Sequence, residues 1–409
     1  RVVVLERSSQ VGGVWRQHAN PFSRVNSSEP SYRVPVRRAA PNTNHSHHSE
    51  MLLDALRLLR GEVEPDARPG ASAAEGARAG VSPSLAGVIF LGCEVRSVRE
   101  APAAQPALPQ QPTPPAAGWS VCGVCGAEAA PFEVRSGTVV VCTNRRLGVP
   151  RSLTLQGEAD FLGAVRRGLA GDSEGVRWKG QRVVILGMGA FAIENMRTAF
   201  ERGAAHVTLL CRRRGTVCPQ LVDWLNFIRP WEVRDHQPRH ATAGDADMLQ
   251  AWRAAYDVSG AVRPECWQQG MLKPDGHTVS VSDLFFIAHH LGMMSVELGE
   301  AACLEPTGVR TKAGKLLEAG VVVKAVGFET NATNSRMLGR SHMRPNGLVE
   351  RDLWLLAEPH LDAGAFTSPF GSSYLNVVTY RVRSMVRYWR KPELMSAVLA
   401  APLPPLPID

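Results

Sequence analysis

Runs of apolar residues separated by short glycine-containing turns predict alternating strands and helices along this chain. The clearest case is residues 180–215, GQRVVILGMGAFAIENMRTAFERGAAHVTLLCRRRG. Arg182 to Leu186 is typical of a buried strand, and Phe191 to Arg202 has the spacing and composition of a helix that stops before Gly203. A second strand is predicted from His206 to Cys211. The order strand, glycine turn, helix, strand predicts a βαβ unit of the nucleotide-binding kind.

The turn in this unit has the spacing GxGxxA, formed by Gly187, Gly189 and Ala192. Gly187 permits a tight turn, Gly189 lets the backbone approach a pyrophosphate, and the small Ala192 lets helix and strand pack closely. The start of the helix, at Ala190 and Phe191, then faces the phosphates. We interpret the unit as a dinucleotide site, with an ordinary glycine turn as the alternative.

The end of the second strand indicates which nicotinamide cofactor fits. Cys211 stands where an NAD-selective fold usually carries an acidic ribose ligand, and Arg212, Arg213 and Arg214 follow it. Arginines at this place favour a 2′-phosphate and hence NADPH. A solvated basic turn is the alternative.

The chain opens on another predicted strand, RVVVLE, which ends at Glu6. This run has the form of the second strand of a Rossmann unit, whose closing acid accepts hydrogen bonds from an adenosine ribose. We therefore expect a fragment that lacks about 25 to 35 residues carrying the first strand, glycine turn and helix of that unit. An edge strand with a surface glutamate is the alternative.

Short strands are also predicted between Gly87 and Arg99 and between Gly118 and Asn144, where they form a β-meander. Two segments rich in Pro, Ala, Gly or Gln, near residues 61–86 and 100–118, are predicted to be disordered insertions. A further strand is predicted from Val321 to Val326.

Composition narrows the class of protein. The chain has 409 residues, 44% of them hydrophobic, which is enough for two cores. Its net charge of +8 is not arranged as a basic stripe with interleaved aromatics, so a small anionic ligand is favoured over nucleic acid.

The apolar stretch Leu284 to Val296 is interrupted by two histidines and is shorter than the roughly 20 residues of a membrane span. Eight scattered cysteines do not suggest a disulfide framework, so a reducing compartment and the cytoplasm are favoured, with localisation left open.

Two further motifs carry alternative chemistry. The CGVC run, Cys122 to Cys125, could be a redox dithiol or half a zinc site, but a plain glycine-rich turn in a hairpin is favoured. A histidine cluster could bind a metal, but a polar loop before a helix near Glu50 to Leu59, capped by Ser49, is favoured. The cluster consists of His45, His47 and His48.

Two nucleotide-binding units in one chain resemble the flavin-containing monooxygenases and their wider flavoprotein group. The stretches that carry this resemblance are VLERSSQVGGVWR, FSRVNSSEP, GMGAFA with its downstream arginines, and VVVKAVGFETN. The resemblance implies an α/β fold with two Rossmann-like dinucleotide-binding domains, for FAD and NADPH. The FAD domain would be discontinuous and would lack its first βα element. It would span residues 1–150, followed by the NADPH domain at 151–319 with a helical insertion at 216–300, and the chain would return to the FAD domain at 320–409.

The resemblance also implies roles for particular residues. Asn26 would be the active-site amide beside the reactive flavin, and Gly327 would be the centre of a FATGY-like element. Residues expected to contact FAD are Glu6 at the ribose, Gly12, Gly13, Val14 and Trp15 near the pyrophosphate and flavin, and Thr143 in a CTN run that replaces the family's ATG. The family's FxGxxxH linker appears as LQGEADF, which keeps Gly157 but has Phe161 where histidine is expected.

The activity implied by the resemblance is NADPH-dependent monooxygenation. Hydride passes from NADPH to FAD, and O₂ is then activated as a C4a-(hydro)peroxyflavin that oxygenates a nitrogen, sulfur or carbonyl centre of a small organic substrate. An acid/base triad is not required, because the flavin performs the difficult chemistry. The alternatives are an NADPH-dependent flavin oxidoreductase or oxidase without oxygen insertion, and a non-catalytic nucleotide-binding relic.

Overall fold

The computed structural model describes residues 2–26, 45–60, 88–101, 118–136, 139, 141, 143, 148–223, 243–265, 267–268, 271–272, 279–329 and 333–338. The predicted insertion at 61–86, most of the one at 100–118, and residues 339–409 of the predicted C-terminal return lie outside this set.

The described part of the chain contains both strands and helices. The strands are β1 (Val4–Glu6), β2 (Ile89–Leu91), β3 (Cys93–Ala101), β4 (Gly118–Cys125), β5 (Ala130–Ser136), β6 (Val149–Pro150), β7 (Ala164–Arg166), β8 (Arg182–Leu186), β9 (His206–Cys211), β10 (Val217–Cys218), β11 (Trp267–Gln268), β12 (Met271–Leu272), β13 (Ser280–Val281), β14 (Met294–Leu298), β15 (Ala301–Glu305), β16 (Gly308–Thr311), β17 (Leu316–Glu318), β18 (Val321–Val323) and β19 (Phe328–Glu329). The helices are α1 (Gly13–Gln17), α2 (His48–Arg60), α3 (Ala190–Glu201), α4 (Ala243–Ser259), α5 (Asp283–His290) and α6 (Thr333–Leu338), with a 3₁₀ turn at Ala170–Ser173.

A five-stranded parallel sheet in the order β14-β9-β8-β18-β7 organises the second half of the described chain. Its central strands are apolar at successive positions because a parallel sheet is covered on both faces. Val183 and Ile185 pack on one side with Tyr256 and Phe285, whereas Val184 packs on the other side. The predicted βαβ unit of residues 180–215 is therefore present, with its helix one residue earlier than expected.

The second face of this sheet is covered by an antiparallel three-stranded sheet, β15-β16-β17. Phe161, which stands where the resemblance led us to expect histidine, is only 7% exposed and packs in this apolar layer with Leu304 and Val309. Its side chain therefore contributes to packing between the linker and the sheet.

The first part of the chain forms smaller sheets. β1 pairs in parallel with β2, β3-β4-β5 is an antiparallel meander as predicted, and β6 pairs with β19. The last pair joins the start of the linker to the residues that follow β18.

Several predicted elements differ from the observed ones. The region 216–300, predicted to be a helical insertion, includes β14, because the chain returns to the parallel sheet after α5. The strand predicted to run to Val326 ends at Val323, and it pairs inside the same sheet although the predicted domain boundary lies at 319. Of the apolar stretch Leu284 to Val296, the first part is α5 and the last part is strand. No helix among the described residues is long and apolar enough to cross a membrane.

The cysteine and histidine motifs also differ from expectation. The CGVC run lies within β4 rather than in a turn, and Cys125 forms a disulfide with Cys93 on the paired strand. The cysteine pattern, which favoured a reducing compartment, did not predict this disulfide. Helix α2 begins at His48, and the His47 N–H donates to Glu50 Oε2 at 2.9 Å, so the cap involves these residues while Ser49 lies inside the helix.

Candidate cofactor and active site

The glycine turn lies where the strand order of the parallel sheet changes direction. From β8 the chain adds β9 and β14 on one side, whereas β18 lies on the other side of β8. In open α/β sheets, ligands bind in the crevice outside the carboxyl ends of the strands at such a switch point. The turn at residues 187–189 follows the carboxyl end of β8 and therefore lies at this crevice.

Gly187 has a backbone conformation and a neighbour that exclude a side chain. Its φ is +116°, and a Cβ atom built on it would lie 2.5 Å from the Ala325 carbonyl oxygen. Its N–H donates to the Leu210 carbonyl at 2.8 Å, which ties the turn to β9. The tight-turn role predicted for this glycine agrees with these contacts.

Helix α3 begins with an N-terminus that has no side-chain cap. Gly189 is the N-cap residue, and no atom lies within 4 Å of where its Cβ would be. Ala192 is fully buried against the sheet, as close packing requires. Ala190 and Phe191 start the helix, so their N–H groups are available to an anion at the turn.

Asn26 lies beside this turn. Its Nδ2 donates to the Ala190 carbonyl oxygen at 2.6 Å, and its own carbonyl accepts from Val281 N–H at 3.1 Å. Its Oδ1 is buried and has no hydrogen-bond partner. The structure therefore brings together the two features that sequence reasoning had placed in separate motifs, the amide and the glycine turn.

The segment that carries Asn26 is held by contacts that sequence reasoning missed. Asn20 is fully buried, its Nδ2 donates to the Gly168 carbonyl at 3.1 Å, and its Oδ1 accepts from Phe22 N–H at 2.8 Å. Ser23 donates to Glu194 of α3. The local signal available in the sequence was the pair Asn20 and Ser23, whose residue types favour a tight turn.

The three predicted histidines stabilise the same segment. His45 Nδ1 lies 2.9 Å from the Val25 carbonyl, His47 Nε2 lies 2.9 Å from the Pro21 carbonyl, and His48 Nδ1 lies 3.3 Å from the Ser23 carbonyl. Burial is the main reason that the pKa of His48 is lowered. Among the described residues, no group of three or more His, Cys, Asp or Glu side chains is arranged to hold a metal ion.

The residues predicted to bind FAD lie in the first part of the chain. Glu6 ends β1, and its carboxylate accepts from Ser8 N–H at 2.7 Å. Gly12 has φ +132° and Gly13 has φ +50°, and the latter begins helix α1, which contains Val14 and Trp15. Thr143 is exposed. Glu6 belongs to the β1-β2 sheet, so it is not part of the sheet that carries the glycine turn.

The predicted 2′-phosphate residues follow β9. Arg212 and Arg213 are exposed, and Arg212 Nε lies 3.9 Å from Glu300 Oε1. Arg214 instead pairs with Glu265. Burial raises the pKa of the preceding Cys211 thiol to about 11, so this cysteine is a neutral residue at the strand end.

Aromatic rings lie next to the turn on its β18 side. The Phe328 ring centroid is 5.1 Å from that of Phe191 and 5.0 Å from that of His18. Gly327, the predicted centre of the FATGY-like element, has φ +82° and accepts from Arg151 N–H at 2.9 Å. These contacts join the first unit, the linker and α3 around the candidate site.

The solved structures that are similar to this chain include two whose likeness shows the fold. One is an open crystal structure of cyclohexanone monooxygenase, with a TM-score of 0.51, 16% identity, and coverage of 82% of this chain and 70% of that chain. The other is an oxidized steroid monooxygenase bound to NADP, with a TM-score of 0.50, 14% identity, and coverage of 82% and 68%. The chain has the fold of these monooxygenases. This likeness confirms the predicted resemblance at the level of the fold.

No family model matches the chain. No curated protein matches it either.

Proposed function

We propose that this chain is an NADPH-dependent flavoprotein monooxygenase that oxygenates a small organic substrate with O₂. The observation that carries the proposal is the hydrogen bond from Asn26 to Ala190, because it places an amide from the first unit at the glycine turn of the second. The monooxygenase fold supports the same conclusion. We assign two Rossmann-like domains, for FAD at 1–150 and for NADPH from 151 through β18, since β18 pairs inside the second sheet.

The second unit fits NADPH. The turn at Gly187 and Gly189 and the N-terminus of α3 would hold the pyrophosphate, because backbone N–H groups and the helix dipole favour an anion there. No side chain caps that N-terminus. Arg212 and Arg213 would bind the 2′-phosphate, because they follow the strand that ordinarily ends in a ribose-binding acid.

The first unit would hold FAD through a different set of residues. Glu6 would bind ribose, the backbone from Gly12 to Trp15 would lie along the pyrophosphate and flavin, and Thr143 would contact the same group. A Cβ on Gly12 would lie 2.6 Å from Leu52, so the turn before α1 packs directly on α2. This close approach fits a backbone turn that must present its N–H groups rather than side chains.

The chain itself would contribute positioning. When bound, flavin supplies the acceptor for the nicotinamide hydride and the centre that activates O₂. Asn26 can donate through Nδ2 and accept through its unpartnered Oδ1, so it can orient a polar group without changing its own charge. The rings of Phe191 and Phe328, whose centroids are 5.1 Å apart, would limit the access of water to the side of the turn that faces β18.

One observation favours a second candidate, an NADPH oxidase or reductase without oxygen insertion. Phe161 has no polar atom at the linker position where the family has histidine, and it is buried in the apolar layer. Coupling of oxygen to substrate would then be weaker than in the family.

The test uses the full chain reconstituted with FAD. We expect NADPH to be consumed faster than NADH, with oxygenated product formed from at least one of the probes cyclohexanone, thioanisole and dimethylaniline. An Arg212→Ala/Arg213→Ala variant should lose about 10-fold or more of its preference for NADPH, because a phosphate loses its paired cations. Arg182→Ala, at the opposite end of the sheet, is the matched control.

Formation of H₂O₂ equal to the NADPH consumed, with no product from any probe, would select the oxidase instead. Failure of the chain to bind FAD would contradict both candidates.

A further inference from the structure

Helix α3 buries a polar stripe against segment 20–26, the stretch from Asn20 to Asn26. Glu194, Arg197 and Glu201 share one face of the helix because Arg197 and Glu201 lie three and seven positions after Glu194, and of the three only Glu201 is exposed. Glu194 is only 6% exposed and Arg197 only 4%. Arg197 Nε, Nη1 and Nη2 are buried without hydrogen-bond partners, although Glu201 Oε1 lies 3.9 Å from Nε. Burial of the charged side chains of Glu194 and Arg197 costs free energy, which suggests that they serve a function.

The stripe contacts the segment through Ser23. The Ser23 hydroxyl donates to Glu194 Oε1, and Ser23 Oγ accepts from Asn20 N–H at 2.8 Å. Three residues later, Asn26 Nδ2 donates to Ala190 at the start of the same helix. The segment is therefore fastened at two places on α3, and the Ser23 contact sets how Asn26 meets the glycine turn.

The Glu194 carboxyl titrates in the physiological range. Burial raises its pKa to about 7, while the Ser23 hydrogen bond and the Arg197 charge oppose this rise. Because Ser23 covers the carboxyl, separation of the segment from α3 would admit water and return the pKa towards its ordinary value. Docking therefore takes up a proton, and it weakens as the pH rises from about 4.5 to about 7.

Other charged groups face Glu194 from each packed element. Arg197 and Glu201 lie on its own helix, and Arg24 Nε of the segment lies 3.8 Å from Glu201 Oε2. His48 of α2 contacts the Ser23 carbonyl, and burial lowers its pKa, so its neutral form persists to lower pH than usual. Glu194 is thus the buried acid of this set, and burial raises its pKa to about 7.

Resting on the proposed function, we propose that Glu194 is a positioning residue: through Ser23 it docks segment 20–26 on helix α3, places Asn26 at the glycine turn, and makes this docking proton-linked.

The first experiment needs no cofactor. Amide hydrogen exchange of the peptide covering residues 18–26 is measured by mass spectrometry on the full chain at pH 6 and 8.5, corrected for intrinsic exchange rates. Wild-type protection should fall by about 10-fold between these values, because with a docked pKa of about 7 only about one unit of the pKa difference lies above pH 6. Glu194→Gln should change by less than about twofold, because it cannot ionise. Glu201→Gln, on the same helix, should keep the wild-type fall.

A second pair of variants covers the case in which Glu194→Gln does not fold. Ser23→Ala should lower protection at both pH values, and Ser23→Thr should restore the protection and its pH dependence by returning the hydroxyl. If Thr restores neither, the inference is wrong.

Titration with NADP⁺, followed by intrinsic fluorescence, separates this inference from the proposed function. We expect wild-type affinity to weaken between pH 6 and 8.5 and that of Glu194→Gln to change less. If NADP⁺ fails to bind at either pH while exchange still follows Glu194, the proposed function fails and the docking stands. Two results would overturn the docking, whatever the outcome with NADP⁺. One is that protection does not fall with pH in the wild type, and the other is that Glu194→Gln shows the same fall as the wild type.

Discussion

Replacement of Lys324 by methionine is the sharpest test of how the linker is held at the candidate site. Lys324 follows β18, and its Nζ donates to the Leu153 carbonyl at 2.6 Å and to Glu158 Oε1 and Oε2 at 2.9 and 3.1 Å. The two side chains are 12% and 25% exposed. The ammonium group therefore uses its three donors on the linker, and methionine would keep the apolar stem while removing all three.

The expected loss follows from the burial of this pair. Removing one partner of a buried ion pair costs about 3 to 5 kcal/mol, because the other charge is left without compensation. A carboxylate that is one-quarter exposed retains some hydration, and Glu158 also accepts from Leu155 N–H at 2.7 Å. We therefore expect Lys324→Met to lower the free energy of unfolding by about 2 to 3 kcal/mol at pH 7.

The loss should depend on pH with a definite sign. Burial alone would raise the pKa of Glu158, but the Lys324 hydrogen bond, the Leu155 N–H and the Lys324 charge together lower it. An acid with a lowered pKa contributes stability above its ordinary range and loses it as the pH falls. The difference between wild type and variant should therefore shrink in acid.

Urea denaturation at pH 7 and pH 4 measures the free energy of unfolding of the wild type, the Lys324→Met variant and the Glu158→Gln/Lys324→Met double variant. The double variant should recover part of the loss, because no unpaired charge remains. A loss below about 0.5 kcal/mol at pH 7, or an equal loss at both pH values, would refute the ion-pair explanation.

Three further predictions follow from the described contacts. Gly187→Ala should lose about 2 to 4 kcal/mol of stability, whereas Gly189→Ala, at a position that faces open space, should lose under about 1 kcal/mol. Gly187→Ala should also lose most NADP⁺ binding. Thermal unfolding of both variants without and with NADP⁺ measures the stability and the binding. The wild-type free energy of unfolding should fall by up to about 3 kcal/mol between pH 5 and 8 through Glu194, and a Glu194→Gln curve with the same slope would contradict this. Cys93→Ser should cost about 3 to 4 kcal/mol by opening the 32-residue separation to Cys125, and reductant should lower the melting temperature of the wild type but not of this variant.

The βαβ unit could be predicted from the sequence because its signals are local. Strand, turn and helix follow one another within residues 180–211, and the positive φ of Gly187 is a property of the turn itself. β18 could be predicted as a strand, but its place in the sheet could not, because its partners β7 and β8 lie more than 100 positions earlier. The Cys93–Cys125 pair was missed for a related reason: its residues meet only through the register of β3 and β4.

The contacts around Asn26 show the same limit more strongly. Its residue type and neighbours suggested an active-site amide, but its partner Ala190 lies 164 positions away. The pair Ser23 and Glu194 is separated by 171 positions, and Asn20 and Gly168 by 148. Spacing rules reach about two helical turns, so contacts of this length appear only once the units are packed together.

Helix α3 is the element in which the hydrophobic pattern was least informative. Glu194, Asn195, Arg197 and Thr198 would ordinarily mark a solvent-exposed face, yet all of them are buried. The helix is covered on one side by the parallel sheet and on the other by segment 20–26, so these four side chains have little access to water. Sequences usually avoid such burial because each uncompensated group costs free energy. The helix that begins at the glycine turn departs from this rule where the two units meet, which is where a functional requirement would oppose stability.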